Sequence, residues 1–569
     1  MRLSFLSLLF LSFPAMSLCQ SCKSLSVPKA PVDEALFDNF YYQGNDDIYN
    51  KNKLTDASQF YNPILPGFYP DPSITTNGKG DYYLATSTFT FFPGVPLFHS
   101  RDLVNWEQVG HILDRESQME NMKGQHVSGG IFAPALSYNP KTGTYYMITT
   151  NVGAGNFYVK TQNPEGAWSD PIHLPSILGI DPSIFIDDDG RAYVVNNDDA
   201  PDNKPEYPGH RTVRVQELDL ATDKCVGERK IIINKGCRPE EKPIWCEAPH
   251  IYKIKGKYYL MTAEGGTSDW HSEVIYRSES VWGPYEPYSG NPILTQRTLA
   301  KDRKEPVTCA GHADLVKTEN GEWWAVFLAC RPVKDNWENL GRETFMMPVS
   351  WTEDGWPMMT GSTGLVPQML NRNGVKRNEN VTFGNFKWED DFSSDVMKQD
   401  WVTLRTSAKG LFTPNKYNGW LSLKKQPVTA EQKDVPSLVA RRLQHHKFEA
   451  STKMRFQPSF DNDAAGIMLF KDEKHQLLLV RTLNAGKQTI ELQQVSKDGK
   501  KVLASQPCKL NEVEMKITST GTTFEFFYKA KKDWVKIGDA PAQQLSTQAA
   551  GGFTGTVVAL YCTGKEAKK

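Results

Sequence analysis

The chain has 569 residues, with 65 basic and 66 acidic side chains and a formal net charge of −1 at pH 7. At roughly 150 residues per domain this length predicts two to four domains, and the balanced charge offers no basic field for nucleic acid. The 42 Gly and 35 Pro residues are an ordinary proportion, which excludes a collagen-like chain or a disordered scaffold.

The N-terminal segment has the layout of a secretory signal peptide. Arg2 precedes an apolar run over residues 3–14, and small residues follow. We therefore predict a signal peptide over 1–19, a lead-in segment over 20–55, and an exported, periplasmic protein. Secretion from the cell and a lipid anchor at Cys19 are the alternatives. The sequence contains no later segment long and apolar enough to span a membrane.

A short motif followed by a glycine turn and an aromatic strand recurs five times along the chain. The five motifs begin at Asp71, Ala133, Asp181, Ala248 and His312. Each unit is typical of two antiparallel strands joined by a tight turn. Repeats of this kind without a helical period predict a β-propeller. Five copies predict five blades, in a domain over residues 56–360.

Equivalent positions at the start of the innermost strands should meet near the propeller axis. These positions hold Asp71, Phe132-Ala133, Asp181, Glu247-Ala248 and Gly311-His312. One Asp-Pro pair alone more often marks a turn, but gathered carboxylates repel one another and are usually retained for function. Two facing carboxyl groups can hydrolyse an acetal, and a third can keep one of them protonated.

The nine cysteines give no clear site. Cys19-x-x-Cys22 lacks a second pair or a matching histidine spacing, so we predict no zinc site. Cys225 and Cys237 flank one strand-like run, and they are either bridged after export or buried as free thiols.

The C-terminal third contains strand patterns but no carboxylate cluster. The polar segment 361–386 is predicted to be a linker. Beyond it, residues 448–456 alternate with period two, and turns such as Asp498-Gly499 separate short strands. We predict an all-β protein in which the five-bladed propeller is followed by a concanavalin-like or jelly-roll β-sandwich over 387–569. The sandwich either stabilises the protein, binds sugar or forms a wall of the channel mouth.

Three motifs in the propeller region form a specific combination. They are the run 62–73 (Asn-Pro-Ile-Leu-Pro-Gly-Phe-Tyr-Pro-Asp-Pro-Ser), the segment 87–95 with its Ser-Thr-Phe and Phe-Pro-Gly-Val, and Gly341-Arg342-Glu343-Thr344. Together they resemble glycoside hydrolase family 43, which comprises five-bladed propeller β-xylosidases and α-L-arabinofuranosidases. The resemblance covers about residues 56–355 and extends to the sandwich. It implies an exo-acting, inverting enzyme that acts on hemicellulose-derived oligosaccharides and requires no cofactor.

The resemblance assigns a catalytic role to each of the three carboxylates. Asp71 matches the general base, which takes a proton from the attacking water. Glu247 matches the general acid, and Asp181 matches the residue that orients the acid and raises its pKa. In an inverting enzyme the base and the acid stand roughly 6.5–9.5 Å apart to admit the water.

The resemblance also implies sugar-binding residues. Arg342 matches a guanidinium that binds the terminal sugar, against the alternative of a surface ion pair with Glu343. Phe89 matches a ring that packs on that sugar, against an ordinary core position. His312 matches a channel histidine that in some relatives lies near a calcium or sodium ion, and a hydrogen-bonded histidine without metal is the alternative.

One departure from the family pattern bears on specificity. Many xylosidases of the family have Trp in the run Gly-Ile-Trp-Ala-Pro, where this chain has Phe132. With the run 207–211 (Tyr-Pro-Gly-His-Arg), this places the sequence closer to bacterial arabinofuranosidases. We expect release of terminal α-L-arabinofuranosyl residues from xyloglucan or arabinoxylan oligosaccharides. A β-D-xylosidase or a bifunctional enzyme is the alternative, and a non-catalytic carbohydrate-binding propeller is a remoter one.

Overall fold

The computed structural model of the protein describes residues 26–378, 381 and 383–565. The predicted signal peptide and Cys19 lie outside these residues. Within them strands are the main regular structure, and the α-helices are Asp47–Lys51 and Thr547–Ala550. Short 3-10 helices occupy Glu116–Gln118, Pro201–Asn203, Pro239–Glu241, Gly361–Thr363 and Ala542–Leu545. No helix in these residues is long and apolar enough to cross a membrane.

Five antiparallel sheets follow one another along the chain, one for each sequence repeat. Blade 1 contains Ser73–Thr76, Tyr82–Ala85, Gly94–Ser100 and Glu107–Leu113. Blade 2 contains Ile131–Asn139, Thr144–Asn151, Gly155–Thr161 and Ile172–His173. Blade 3 contains Ile180–Ile186, Ala192–Asp199, Arg211–Asp219 and Lys224–Asn234.

The last two blades complete the ring. Blade 4 contains Glu247–Ile254, Lys257–Glu264, Ser272–Ser278 and Glu286–Pro287, with Leu294–Thr295 paired to its third strand. Blade 5 contains Thr308–Lys317, Trp323–Cys330, Glu343–Trp351 and Pro357–Met358. Each innermost strand contacts the innermost strands of both neighbouring blades, and blade 5 returns to blade 1. The prediction of a five-bladed propeller is confirmed.

The innermost strands share a backbone irregularity at their beginning. The first residues of the five motifs, which are Asp71, Ala133, Asp181, Ala248 and His312, have φ values of 54°, 21°, 51°, 52° and 54°. Residues with a side chain rarely adopt positive φ. In blades 2 to 5 the pairing register with the next strand also shifts here, as at a β-bulge, which re-aims side chains.

The second domain consists of two antiparallel sheets whose inner faces share one hydrophobic core. The larger sheet contains, in spatial order, Phe412–Thr413, Leu421–Lys424, Glu34–Gly44, Phe448–Arg455, Glu512–Ser519, Thr523–Ala530 and Asp533–Pro541, with Lys387–Asp390 paired to Glu34–Gly44. The smaller sheet contains Ser437–Arg442, Val557–Thr563, Ala464–Asp472, His475–Asn484, Lys487–Ser496 and Gly499–Pro507. This is the predicted β-sandwich.

The segment 20–55 is more than a lead-in. Its strand Glu34–Gly44 lies inside the larger sandwich sheet, between Leu421–Lys424 and Phe448–Arg455. Along the described residues the chain therefore passes first through the sandwich, then forms the propeller, and then returns to the sandwich. Part of the predicted linker is also ordered, because Met369–Asn371 pairs with Gln59–Tyr61 at the entry to the propeller.

Two glycines bring the domains into close contact beside the channel. A Cβ atom on Gly341 of the propeller would lie 2.8 Å from the backbone nitrogen of Gly555. A Cβ atom on Gly555 of the sandwich would lie 2.1 Å from the Leu340 carbonyl oxygen. The Asn339 side chain also donates a hydrogen bond of 2.8 Å to the Ala542 carbonyl. The sandwich loop 551–555 is thereby held against the propeller.

Candidate active site

A cavity of about 330 Å³ lies where the innermost strands begin, a volume typical of small-molecule sites, which span ~300–1,000 Å³. All seven predicted site residues line this pocket, namely Asp71, Asp181, Glu247, Phe89, Phe132, Arg342 and His312. The side chains of Arg211, Trp245, Thr267 and Phe553 line it as well. A cavity of about 500 Å³ between the two domains contains none of the predicted residues.

Asp71 is a buried carboxylate held in its ionised form. Arg342 donates to it at 2.7 Å, and the Ser87 hydroxyl donates at 2.6 Å. Burial alone would raise the pKa of Asp71, but the charge of Arg342 and the hydrogen bond from Ser87 outweigh burial. Its pKa therefore lies below the ordinary value, as suits a group that must accept a proton.

Glu247 is held in the opposite state. Burial, followed by the negative charges of Asp181 and Asp71, raises the pKa of Glu247 well above its ordinary value. The positive charges of Arg342 and Arg211 oppose this shift. No hydrogen bond joins the Glu247 carboxyl to a side chain or backbone group of the described residues, so its proton is free for a ligand.

Asp181 lies between these two extremes. Burial and the charge of Asp71 raise the pKa of Asp181 to about 7, while the nearby backbone N–H of Ala248, the residue after Glu247, opposes the shift. One ionised and one protonated carboxyl group in the same pocket can supply a base and an acid to the same bond.

Arg342 and three phenylalanine rings form one side of the pocket. The Arg342 guanidinium lies 5.8 Å from the Phe89 ring centre and 5.5 Å from that of Phe553. Phe132 packs edge-on against both rings, at 5.5 and 5.7 Å. The alternative of an ion pair between Arg342 and Glu343 does not hold, because Glu343 is fully buried and pairs with Arg331 at 2.7 Å.

His312 lies beside Asp71, the predicted base. Its Nδ1 is 3.5 Å from Asp71 Oδ1, and burial lowers the pKa of His312 to about 3, so the ring is neutral. The described residues hold no group of three or more His, Cys, Asp or Glu side chains able to bind a metal.

The cysteines described in the structure are all free thiols, including Cys225 and Cys237. Cys237 instead donates a hydrogen bond to Glu264 at 3.3 Å. Cys225 and Cys237 are therefore not bridged, and both are half-buried, not buried as the alternative expected.

The sequence reasoning did not assign four of the lining residues. Arg211 begins the third strand of blade 3, and Thr267 lies in a loop of blade 4, both outside the repeated motif. Phe553 comes from the sandwich. Trp245, two residues before Glu247, carried a signal, because its position next to a motif carboxylate places it at the channel. Arg211 belongs to the run 207–211, which the sequence singled out without a role in the site.

The comparisons with known proteins agree with this geometry. Residues 60–357 match the model of glycosyl hydrolases family 43. Residues 389–569 match the β-xylosidase C-terminal concanavalin A-like domain. The two matches cover the propeller and most of the sandwich.

Three similar proteins span nearly the whole chain. A non-reducing end α-L-arabinofuranosidase of Bacteroides ovatus is 38% identical over 523 residues, covering 89% of this chain and 91% of that protein. A β-xylosidase of Bacillus subtilis is 34% identical over 538 residues, with 88% and 96% covered. The crystal structure of a GH43_12 protein from the capybara gut metagenome superimposes with a TM-score of 0.86 at 40% identity, covering 94% of this chain and all of that one. The chain therefore belongs to glycoside hydrolase family 43 and is a glycosidase.

Proposed function

We propose that this glycosidase releases terminal α-L-arabinofuranosyl residues from hemicellulose oligosaccharides with inversion. The observation that carries the proposal is the division of the buried carboxyl groups into an ionised Asp71 and a protonated Glu247. The reaction uses side chains alone and needs no cofactor. The signal-peptide pattern at the N-terminus supports export to the periplasm as part of the same proposal.

Each carboxyl group has one step in this reaction. Asp71 takes a proton from a water molecule whose oxygen attacks the anomeric carbon. Glu247 gives its proton to the glycosidic oxygen as the bond between carbon and oxygen breaks. Asp181, through its negative charge beside Glu247, keeps the acid protonated and orients it.

The choice of sugar rests on the pocket wall and on the relatives. Phe132 stands where many xylosidases of the family carry a larger ring, and the Bacteroides ovatus relative is an arabinofuranosidase. A β-D-xylosidase activity is the second candidate, favoured by the Bacillus subtilis relative and by the name of the C-terminal domain.

A comparison of two chromogenic substrates tests the sugar. The full-length protein should show a higher kcat/KM on 4-nitrophenyl α-L-arabinofuranoside than on 4-nitrophenyl β-D-xylopyranoside. The reverse order would establish the xylosidase candidate. Failure to release 4-nitrophenol from either substrate would overturn the proposed function.

The stereochemistry is a separate prediction. Because a base activates water on the face opposite the leaving group, the first product should have the inverted anomeric configuration. Proton NMR during the first minutes of the reaction records this configuration before mutarotation. A retained configuration would contradict the assignment of Asp71 as a base.

Phe553 should contribute to sugar binding from the sandwich. Its ring stacks on Phe89 at 6.1 Å and is 39% exposed to the pocket and solvent. Aromatic contacts contribute about 0.5–1.5 kcal/mol beyond burial, so Phe553→Ala should lower kcat/KM by about tenfold. The loss should appear mainly as a higher KM, measured by initial rates on the better aryl pentoside.

Phe460 provides a matched control for this substitution. It belongs to the same domain, is 38% exposed, and lines no part of the pocket. Phe460→Ala should leave KM unchanged. Equal kinetics for the two variants would show that Phe553 only fills space at the domain contact.

A further inference from the structure

The pocket has a second wall, on the side of Glu247, that the proposed roles leave unused. Arg342 donates to Asp71 at 2.7 Å, whereas Trp245 stands two residues before Glu247 and lines the pocket together with Arg211. Because the acid protonates the oxygen of the leaving group, groups on its side are placed to contact the sugar that departs.

The Arg211 guanidinium is held in place from two directions. It stacks on the Trp245 ring, 4.3 Å from the ring centre, and one of its nitrogens pairs with Asp199. A planar guanidinium fixed in this way loses little freedom when a ligand binds. A mobile surface arginine loses side-chain entropy each time a ligand binds, and this loss weakens binding. An arginine that is already held in place avoids that cost and is therefore suited to bind a ligand.

The run 207–211 is folded so as to support this wall. The Trp245 backbone donates a hydrogen bond of 2.8 Å to the Gly209 carbonyl. Gly209 has φ +84°, and a Cβ there would lie 2.7 Å from the Ile244 side chain. The Tyr207 hydroxyl donates to the Pro243 carbonyl at 2.8 Å. The loop with Arg211 and the loop with Glu247 are thus joined.

Arg211 keeps hydrogen-bond donors available. A guanidinium has five N–H donors, and within the described residues its hydrogen bonds go to Asp199 alone. Its side chain is 20% exposed and lines the pocket. The free donors suit the hydroxyl groups of a sugar, and the Trp245 ring, which the guanidinium covers, holds these donors in place.

We propose that Arg211 and Trp245 form the binding site for the leaving sugar, so that this glycosidase prefers oligosaccharides over simple aryl pentosides. This inference rests on the proposed function, because it takes Glu247 as the acid. It assigns Arg211 as a residue that determines specificity for the leaving group and does not take part in the proton transfers.

Substitution of Arg211 by lysine tests the proposal with charge held constant. The full-length variant is compared with the wild type on a 4-nitrophenyl pentoside and on an oligosaccharide that ends in the same pentose. Loss of hydrogen bonds from a charged donor should lower kcat/KM for the oligosaccharide by about tenfold or more. The value for the aryl pentoside should stay within about twofold, because its nitrophenyl leaving group lacks the sugar hydroxyl groups that the lost donors would bind.

Arg214→Lys is the matched control. Arg214 lies three residues further along the same strand, is 22% exposed, and pairs with Asp198 without lining the pocket. Arg214→Lys should leave kcat/KM unchanged on both substrates. The melting temperatures of the two lysine variants check that each retains the fold. Arg211→Met, which also removes the charge, should in addition move the alkaline limb of the pH profile to higher pH, because Arg211 lowers the pKa of Glu247.

The outcomes separate this inference from the function on which it rests. Equal losses on both substrates, or no loss on either, would overturn the leaving-group site while wild-type turnover still supports the glycosidase function. A wild-type protein that releases pentose from neither substrate class would overturn the proposed function and the inference with it.

Discussion

Glu247→Ala should nearly abolish hydrolysis of natural oligosaccharides while sparing much of the activity on a dinitrophenyl pentoside. The departing oxygen of a sugar is strongly basic and needs the proton of Glu247, whereas dinitrophenolate leaves without one. General acid catalysis contributes about 10²–10⁴-fold, so the oligosaccharide rate should fall by that factor. Steady-state rates on both substrates measure the difference.

Asp71→Ala should lower both rates by about 10²–10⁴-fold, because every substrate needs an activated water. Glu279→Ala, a change of an exposed carboxylate in the same blade as Glu247, serves as the control and should have no effect. Equal losses by the two pocket variants on both substrates would refute the division of roles. If Asp71→Ala instead retains activity on the dinitrophenyl pentoside, the roles of base and acid are reversed.

Asp181→Asn should move the alkaline limb of the kcat/KM profile to lower pH. The pKa of Asp181 is about 7, so the group is ionised along the alkaline limb, where its charge raises the pKa of Glu247. Without that charge Glu247 loses its proton at a lower pH, and activity at neutral pH falls. The measurement is kcat/KM from pH 5 to pH 9 on one aryl pentoside.

The control for this change is a carboxylate in the same blade outside the pocket. Asp189 is exposed and pairs with Arg191, so Asp189→Asn should leave the profile unchanged. If Asp181→Asn retains full activity and the same alkaline limb, Asp181 has a structural role only.

The propeller could be predicted because each blade is built from residues close together in the sequence. The repeated motif and its glycine turn define two neighbouring strands, and the ring then follows from five copies. The strand Glu34–Gly44 could not be assigned in this way. Its partner Phe448–Arg455 lies some four hundred residues later, and only the folded chain brings them together.

The same distinction applies to the site. Asp71, Asp181 and His312 occupy one repeat position, and Glu247 precedes it, so sequence alone places them at the channel. Arg211 and Phe553 reach the pocket from a third strand and from a different domain. The residues next to Arg211 and Phe553 in the sequence do not show that the fold brings these two side chains into the pocket.

At the start of each innermost strand a positive φ is adopted, whichever residue stands there. The backbone therefore sets the direction of the side chain, and the sequence sets only which side chain it is. Blades 1 and 3 place Asp at this point and blade 5 places His, while blades 2 and 4 place Ala133 and Ala248. Asp, Asn and His tolerate this backbone conformation better than Ala does. A polar residue introduced at Ala133 should therefore enter the channel without disturbing the strand pairing. The residue at this position can then be replaced in each blade separately, so that the same ring of blades can carry a different set of catalytic side chains.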